Sequence, residues 1–345
     1  MKDLQAVIIG MGWVSDAHIA AFQHVAGVKV AGICSRRRFS ADALQKQYGQ
    51  PLKAFPDYHA VLADPSVDIV SICTENAAHA EQVLQAIAAG KHVYVEKPIA
   101  LCFADARKIR DAAAASRVKV CVGFECRFSM QLQMMRSVID KGLLGRLYFG
   151  EADYYHGIGP WYGQFRWSAA KAGGGSALLS GGCHALDALL FAMDEPVEEV
   201  SSYSTKNPNA CYAPYEFNPC SVSLLKFAGG KLGKVTAAID ALMPYYFHIH
   251  LLGSQGSLLD NKLYSEALKG GTKERWSVMG TSLLDSGEVL DHPYFPQMQA
   301  FADCIVNNKP MPLTGIEAAY ETHRVVYACD LSAQLGRPVR LSELA

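Results

Sequence analysis

Leu4-Gln5-Ala6-Val7-Ile8-Ile9-Gly10-Met11-Gly12-Trp13-Val14-Ser15 is an apolar run that breaks at two glycines. A helical pattern, Ala17, Ala20, Ala21 and Phe22, follows it. The mostly apolar residues 4–9 predict a buried strand that leads into the glycines. The turn fits the dinucleotide fingerprint G-x-G-x-x-G, with Ser15 small enough for its third position. Gly10 allows the tight turn, Gly12 lets a pyrophosphate approach the backbone, and the helix N terminus receives the negative charge. Trp13 and Val14 complete the turn as expected cofactor contacts. Strand–glycine–helix junctions are common, so the motif gains its meaning from a second strand, Val28–Cys34, which completes a βαβ unit.

Working outward, the end of that second strand chooses the dinucleotide. Ser35-Arg36-Arg37-Arg38 stands where an acid would bind a ribose 2′-hydroxyl. A hydroxyl and a guanidinium suit a 2′-phosphate, and no neighbouring carboxylate repels it. NADP(H) is therefore favoured, with Ser35 and Arg36 as contacts and NAD(H) as the alternative. A solvated basic helix start is the bland reading.

Residues 68–74 form another buried strand, ending at Thr74, Glu75 and Asn76 with His79 just beyond. A helix over 80–89 closes at Gly90. The next strand, in His92-Val93-Tyr94-Val95-Glu96-Lys97-Pro98, places a Lys at its exit. Lys is rarely buried without a purpose, and Pro stops the ladder. At the carboxyl edge of a parallel sheet such a Lys points into the ligand crevice. A helix over 103–115 and a strand over 118–124 continue the β-α rhythm, which demands a doubly wound parallel sheet in residues 1–124.

After residue 125 the rhythm changes. A helix carries Met130, Leu132, Met135, Val138 and Ile139, and an extended run covers 146–155. A loop rich in aromatics and glycine follows, with Trp161, Tyr162, Phe165, Arg166, Trp167 and Gly173-Gly174-Gly175. Alternating stretches at 221–227, 232–240, 246–253 and 256–260 are linked by hairpin signals at 228–231 and 253–256. They predict a mostly antiparallel open sheet in a second, α+β domain, 125–345, closed by helices near 294–308 and 315–336. His248 and His250 share one sheet face but show no third ligand nearby in the chain. A sheet face or subunit contact is expected there, and no metal. A helix over 178–193 sets Ser180, His184 and Asp187 at i, i+4 and i+7 as a polar stripe on an apolar helix, just after the triple glycine. His is the side chain best able to exchange a proton near neutral pH.

The 345 residues suit two domains. Half are hydrophobic and the net charge is −1, which disfavours a nucleic-acid or acidic-membrane partner. No apolar stretch approaches a membrane span, and the run over 6–12 is too short for a signal peptide. Ten scattered cysteines without a C-x-x-C pair point to reduced thiols and a cytoplasmic protein.

Together, Gly10-x-Gly12, Thr74-x-Asn76-x-x-His79, Gly90-Lys91-His92-Val93-x-x-Glu96-Lys97-Pro98, Gly173-Gly174-Gly175 and Gly182-x-His184-Ala185-Leu186-Asp187 resemble the Gfo/Idh/MocA oxidoreductases. These are the glucose–fructose oxidoreductase and inositol dehydrogenase family. The resemblance runs from about residue 5 to Gly336-Arg337-Pro338-Val339. It implies a nicotinamide cofactor, a sugar or cyclitol substrate, and homodimers or homotetramers built through the second sheet. It places Lys97 beside the reacting carbinol, His184 as the proton partner, and Thr74, Glu75, Asn76, His79, Glu96 and Lys97 along the cofactor. The bond before Pro98 is often cis in the family. Arg127, Tyr155, Trp161, Arg166 and Ser180 join Lys97 and His184 as expected substrate contacts.

Two positions depart from the family's pattern. Ser180 stands where many members carry an Asp, so substrate orientation must differ, or Asp153, Tyr155 or Arg166 compensates. Glu125 replaces a frequent polar amide. Two rival readings keep the fold: a redox-neutral, glycosidase-like enzyme with tightly held NAD(P), and a cofactor-binding regulator with a decayed site. Retention of both Lys97 and His184 argues against the second.

Overall fold

A computed structural model describes residues 3–344. The chain divides into two compact units: the residues up to Glu125 together with Glu288–Tyr320, and Cys126–Gly287 together with the chain from Glu321 onward.

The first unit alternates strand and helix: β1 (Leu4–Ile9), α1 (Ser15–His24), β2 (Val28–Cys34), α2 (Ala41–Tyr48), β3 (Lys53–Phe55), α3 (Tyr58–Ala63), β4 (Ile69–Ile72), α4 (Asn76–Ala88), β5 (His92–Val95), α5 (Phe103–Ala114) and β6 (Val120–Val122). All six strands are parallel, in the order β3-β2-β1-β4-β5-β6. This is the doubly wound sheet that the rhythm predicts. Strand order reverses between β1 and β4, so the ligand crevice lies at their carboxyl ends. Four of the six β1 residues are buried, as are all four of β4, because helices cover both faces. Helix α4 starts at Asn76, earlier than its apolar pattern, since Asn76, Ala77 and Ala78 prolong it without adding to the apolar stripe.

The second unit contains α6 (Met130–Asp140), β7 (Leu147–Tyr155), two short helices α7 (Phe165–Ser168) and α8 (Lys171–Gly174), a π-helical turn Leu178–Gly182, and α9 (Cys183–Met193). Strands β8 (Val197–Thr205), β9 (Cys220–Phe227), β10 (Leu232–Ala238), β11 (Tyr246–Gly253), β12 (Gly256–Leu259), β13 (Lys262–Ser265) and β14 (Ser277–Val278) follow. Helix α10 (Tyr294–Val306) belongs to the first unit, α11 (Ile316–Leu335) is divided after Tyr320, and β15 (Val339–Arg340) ends the sheet. The nine strands run β14-β13-β12-β11-β7-β10-β9-β8-β15 and are antiparallel except for the parallel pair β7–β10. One face packs on α9 and the turn before it: Gly150 lies against Leu189 and Met193, and Tyr154 against Gly181. The other face carries Glu151, Asp153 and Tyr155, opposite His250, His248 and Tyr246.

Two expectations change. The second domain does not hold all of 125–345, because the chain returns and α10 packs in the first unit. Its Met298, Phe301 and Ala302 join Phe22 and Tyr94 in that core. Its buried Gln297 side chain accepts from the Tyr94 hydroxyl and donates to the Val122 carbonyl at 2.8 Å. Periodicity shows such a helix but not its partner. The second change concerns 171–193, which is apolar and long enough to span a membrane, contrary to the reading of the sequence. It is mostly buried inside the second unit, as a core element is.

Candidate active site

In the first unit, the predicted residues of the β1, β2, β4 and β5 exits meet at one sheet edge. Gly10 has φ +87°, and a Cβ there would lie 2.8 Å from the Cys73 carbonyl oxygen, so only glycine serves. At Gly12 a Cβ would have only one ordinary contact, which leaves room for an approaching group. Ser15 is buried and its hydroxyl donates to the Gly12 carbonyl at 2.7 Å, pinning the turn to α1. No side chain caps the first turn of α1, whose N-cap is Val14. Its backbone donors and positive dipole end suit an anion. Trp13 stands exposed beside them. A dinucleotide pyrophosphate fits this cradle.

At the β2 exit, the Ser35 hydroxyl accepts from the Arg37 backbone N–H at 3.1 Å, and the Arg37 guanidinium donates to the Met11 carbonyl. Arg36 reaches across to Glu75, 2.7 Å away, in an exposed ion pair. This corrects the expectation that no carboxylate stands near the 2′-phosphate position. The chain separates the two residues by 39 positions, but β2 and β4 flank β1, so their exits are close. Glu75 also begins α4 as its N-cap, and the Thr74 hydroxyl donates to Gln82 at 2.6 Å.

Lys97 leaves β5 half-buried, and the Lys97–Pro98 bond is cis. Two residues expected to line the cofactor turn inward instead. His79 is fully buried, with Nδ1 2.7 Å from the Pro98 carbonyl and Nε2 3.1 Å from the Thr74 carbonyl. Burial, partly offset by those carbonyls, lowers its pKa, and the neutral imidazole, with one N–H, donates to one of the two carbonyls. Glu96 lies beneath the edge, bonded to His18 Nε2 at 2.9 Å. Residue type shows polarity, not which side of the strand exit it meets.

His18 carries no motif signal and is the main residue the sequence left unread. It sits fully buried on α1, with Nδ1 2.8 Å from Ser71 Oγ and 3.1 Å from Cys73 Sγ. Burial opposes its charge, but Cys73 and Glu96 outweigh that and push its pKa up to about 10. A second unread partner is His292 from the returning segment, whose Nδ1 lies 2.7 Å from the buried Glu125 carboxylate.

In the second unit, the chain over 178–193 is not one α-helix. The π-helical turn Leu178–Gly182 precedes α9, a geometry that recurs at functional sites. Ser180 donates to the Gly174 carbonyl at 3.0 Å, tying the triple-glycine turn to the helix. His184 is buried in the first turn of α9. Asp187 leaves the expected polar stripe: Arg127 Nε and Nη2 hold its carboxylate at 2.6 and 2.7 Å, and Thr322 donates to it at 2.7 Å. Arg127, expected against substrate, is thus half of a buried bidentate pair, stacked over Phe191.

Tyr155 is also displaced, since it projects from the sheet face opposite α9 and pairs with the Tyr246 ring. Its neighbour Tyr154 takes the α9 side instead. The Tyr154 hydroxyl lies 3.2 Å from His156 Nδ1, and His156 Nε2 lies 2.6 Å from the Tyr162 hydroxyl. Tyr245 packs edge-on against Tyr154 and His156. Trp161 is exposed, its indole donating to the Gly157 carbonyl at 3.0 Å, and Arg166 is exposed nearby in the chain.

A doubly wound sheet with a dinucleotide turn and a Lys at its carboxyl edge, followed by an open-sheet domain, defines the class of two-domain nicotinamide oxidoreductases. Residues 4–124 match the family described as oxidoreductase family, NAD-binding Rossmann fold, of the Gfo/Idh/MocA group, and 132–259 match that group's C-terminal domain. The chain belongs to the Gfo/Idh/MocA oxidoreductase family. It is 27% identical to the D-glucoside 3-dehydrogenase of Escherichia coli (strain K12), over 98% of this chain and 97% of that one. It is 23% identical to the myo-inositol 2-dehydrogenase of Thermotoga maritima, over 98% of both. Among solved structures, scyllo-inositol dehydrogenase from Lactobacillus casei, with bound NAD(H) and scyllo-inositol, superposes with a TM-score of 0.81 at 19% identity, covering 99% of this chain and all of that one.

Proposed function

We propose that this enzyme transfers a hydride between a nicotinamide dinucleotide and a ring hydroxyl or keto group of a sugar, cyclitol or sugar derivative. The observation that carries it is Lys97, which leaves β5 at the same sheet edge as the Gly10 turn. A cation there can hold a carbinol oxygen beside the cofactor. The relatives' named substrates, a glucoside and inositols, support a ring polyol.

When bound, the nicotinamide supplies the hydride acceptor or donor. In the oxidative direction the carbinol C–H pair leaves as hydride and the hydroxyl proton goes to His184, giving a ketone. Lys97 orients the oxygen and offsets its growing negative charge. Exposed Trp161, with Tyr162 and Trp167 in the same loop, offers flat faces for a pyranose ring. The reading requires Lys97 and His184 to meet over one substrate.

NADP(H) is the proposed preference, supported by Ser35 and Arg36, and it is small because Glu75 shares the guanidinium. Homodimers or homotetramers through the second sheet are supported by Tyr203, Val222, Leu224 and Leu232, all exposed on the face away from α9.

The test is a scan of sugars and cyclitols with each cofactor, followed by Lys97→Met and His184→Ala on the best substrate. Each variant should lose about 10²–10⁴ in kcat, the scale of a positioned proton-transfer group, with cofactor affinity kept. Near-normal turnover in either would reject its role.

A further inference from the structure

Register brings together what the sequence keeps apart. Glu151 on β7 lies directly opposite His250 on β11, with His248 two residues along the same face. A third ligand for the His-x-His pair therefore exists, 97 positions before His248 and invisible without the strand pairing. We propose that Glu151, His248 and His250 form a binding site for one divalent transition-metal ion of the zinc class, on the sheet face away from α9.

The geometry suits such an ion. Glu151 Oε1 stands 3.4 Å from His250 Nδ1 and 3.7 Å from His248 Nε2, and all three ligand atoms lie within 4.8 Å of one another. Ligands held at about 2.0–2.1 Å around a tetrahedral zinc lie about 3.4 Å apart, so small rotations complete the set. Three protein ligands leave a fourth position for water, and imidazole with carboxylate suits zinc, nickel and cobalt better than calcium or magnesium.

Neighbours hold the ligands as metal sites require. Asp260 Oδ1 accepts the Ile249 backbone N–H at 3.0 Å, while Oδ2 lies 3.3 Å from His248 Nδ1. That carboxylate keeps the proton on Nδ1 and turns the Nε2 lone pair toward Glu151, the usual support of a zinc-bound histidine. Lys234 takes the other oxygen, Oε2, at 3.4 Å and is held by Asp153 at 2.8 Å, so Oε1 is the atom left facing both rings. Among the described residues, His250 forms its ion pair with Glu151 alone.

The test uses chelator-treated full-length protein and Co(II) and Zn(II) as probes, with equilibrium dialysis, metal analysis and the visible spectrum of the cobalt form. One ion per chain, a tetrahedral cobalt spectrum and a rise in Tm are expected. His250→Ala should weaken binding at least about tenfold, and Asp260→Asn about 10–100-fold. Glu151→Gln, which keeps the side-chain volume, should also lose the cobalt spectrum if the alanine variant folds poorly. Absence of saturable binding, or equal binding by wild type and the His248→Ala/His250→Ala protein, would overturn the site.

Discussion

At the residue scale, the buried His18–Glu96 pair shows how much of the Lys97 edge is built from below. The imidazole is fully enclosed, ringed by Tyr94 and Tyr294, and joined to the residue before Lys97. Removing one member of a buried pair strands the other's charge, which costs about 3–5 kcal/mol. His18→Leu should be destabilised by that amount near pH 6. The pH dependence follows from the raised pKa. A histidine with an unfolded value near 6.5 and a folded value of about 10 contributes stability that is fully present below pH 6.5. That contribution is lost as pH rises through 10. Urea midpoints for wild type and His18→Leu should therefore converge between pH 6.5 and 10; a gap that stays constant would show that His18 acts by packing alone.

Among the elements, the π-helical turn before α9 decides where His184 stands. Gly182, the last residue of that turn, packs closely on β10: an added Cβ would lie 2.2 Å from the Ala237 Cβ. Overpacking against a strand core costs about 1–3 kcal/mol, so Gly182→Ala should lower Tm by several degrees. Turnover should fall too, because the displaced turn carries His184 two residues on. Adding Ala237→Gly to the same chain removes the clash and should restore part of both. If Gly182→Ala alone leaves Tm and kcat unchanged, the turn is not tightly packed. The i, i+4, i+7 stripe assumed a regular α-helix, and neither the π turn nor the Arg127 partner of Asp187 has a local sequence signal.

On the scale of the whole molecule, the proposed 2′-phosphate position draws on two strand exits rather than on one motif, because Arg36 after β2 pairs with Glu75 after β4. Charge-assisted hydrogen bonds contribute about 1.5–3 kcal/mol each, but Arg36 is exposed and already paired with Glu75. Wild type should favour NADPH over NADH by only about tenfold. Arg36→Ala should erase the preference, and Glu75→Gln should widen it by freeing the guanidinium; titrations of both reduced cofactors measure all three. Equal affinities in wild type together with no response to Glu75→Gln would leave no 2′-phosphate site there. What the sequence by itself determined is what short-range chemistry encodes: the βαβ rhythm, the Gly10 turn, the Lys97-Pro98 exit, the hairpins of the second sheet and the helix bearing His184. These follow from periodicity, glycine sterics and proline, which act over a few residues. Tertiary structure alone decided the return of α10 to the first unit, the inward turn of Glu96 and His79, the capture of Arg127 by Asp187, the face taken by Tyr155 and the meeting of Glu151 with His248 and His250. Apart from those of His79, which reach residues 5 and 19 positions away, these are contacts across tens of residues, set by which surfaces must be buried together and by strand register, and neither is written in any local stretch of the chain.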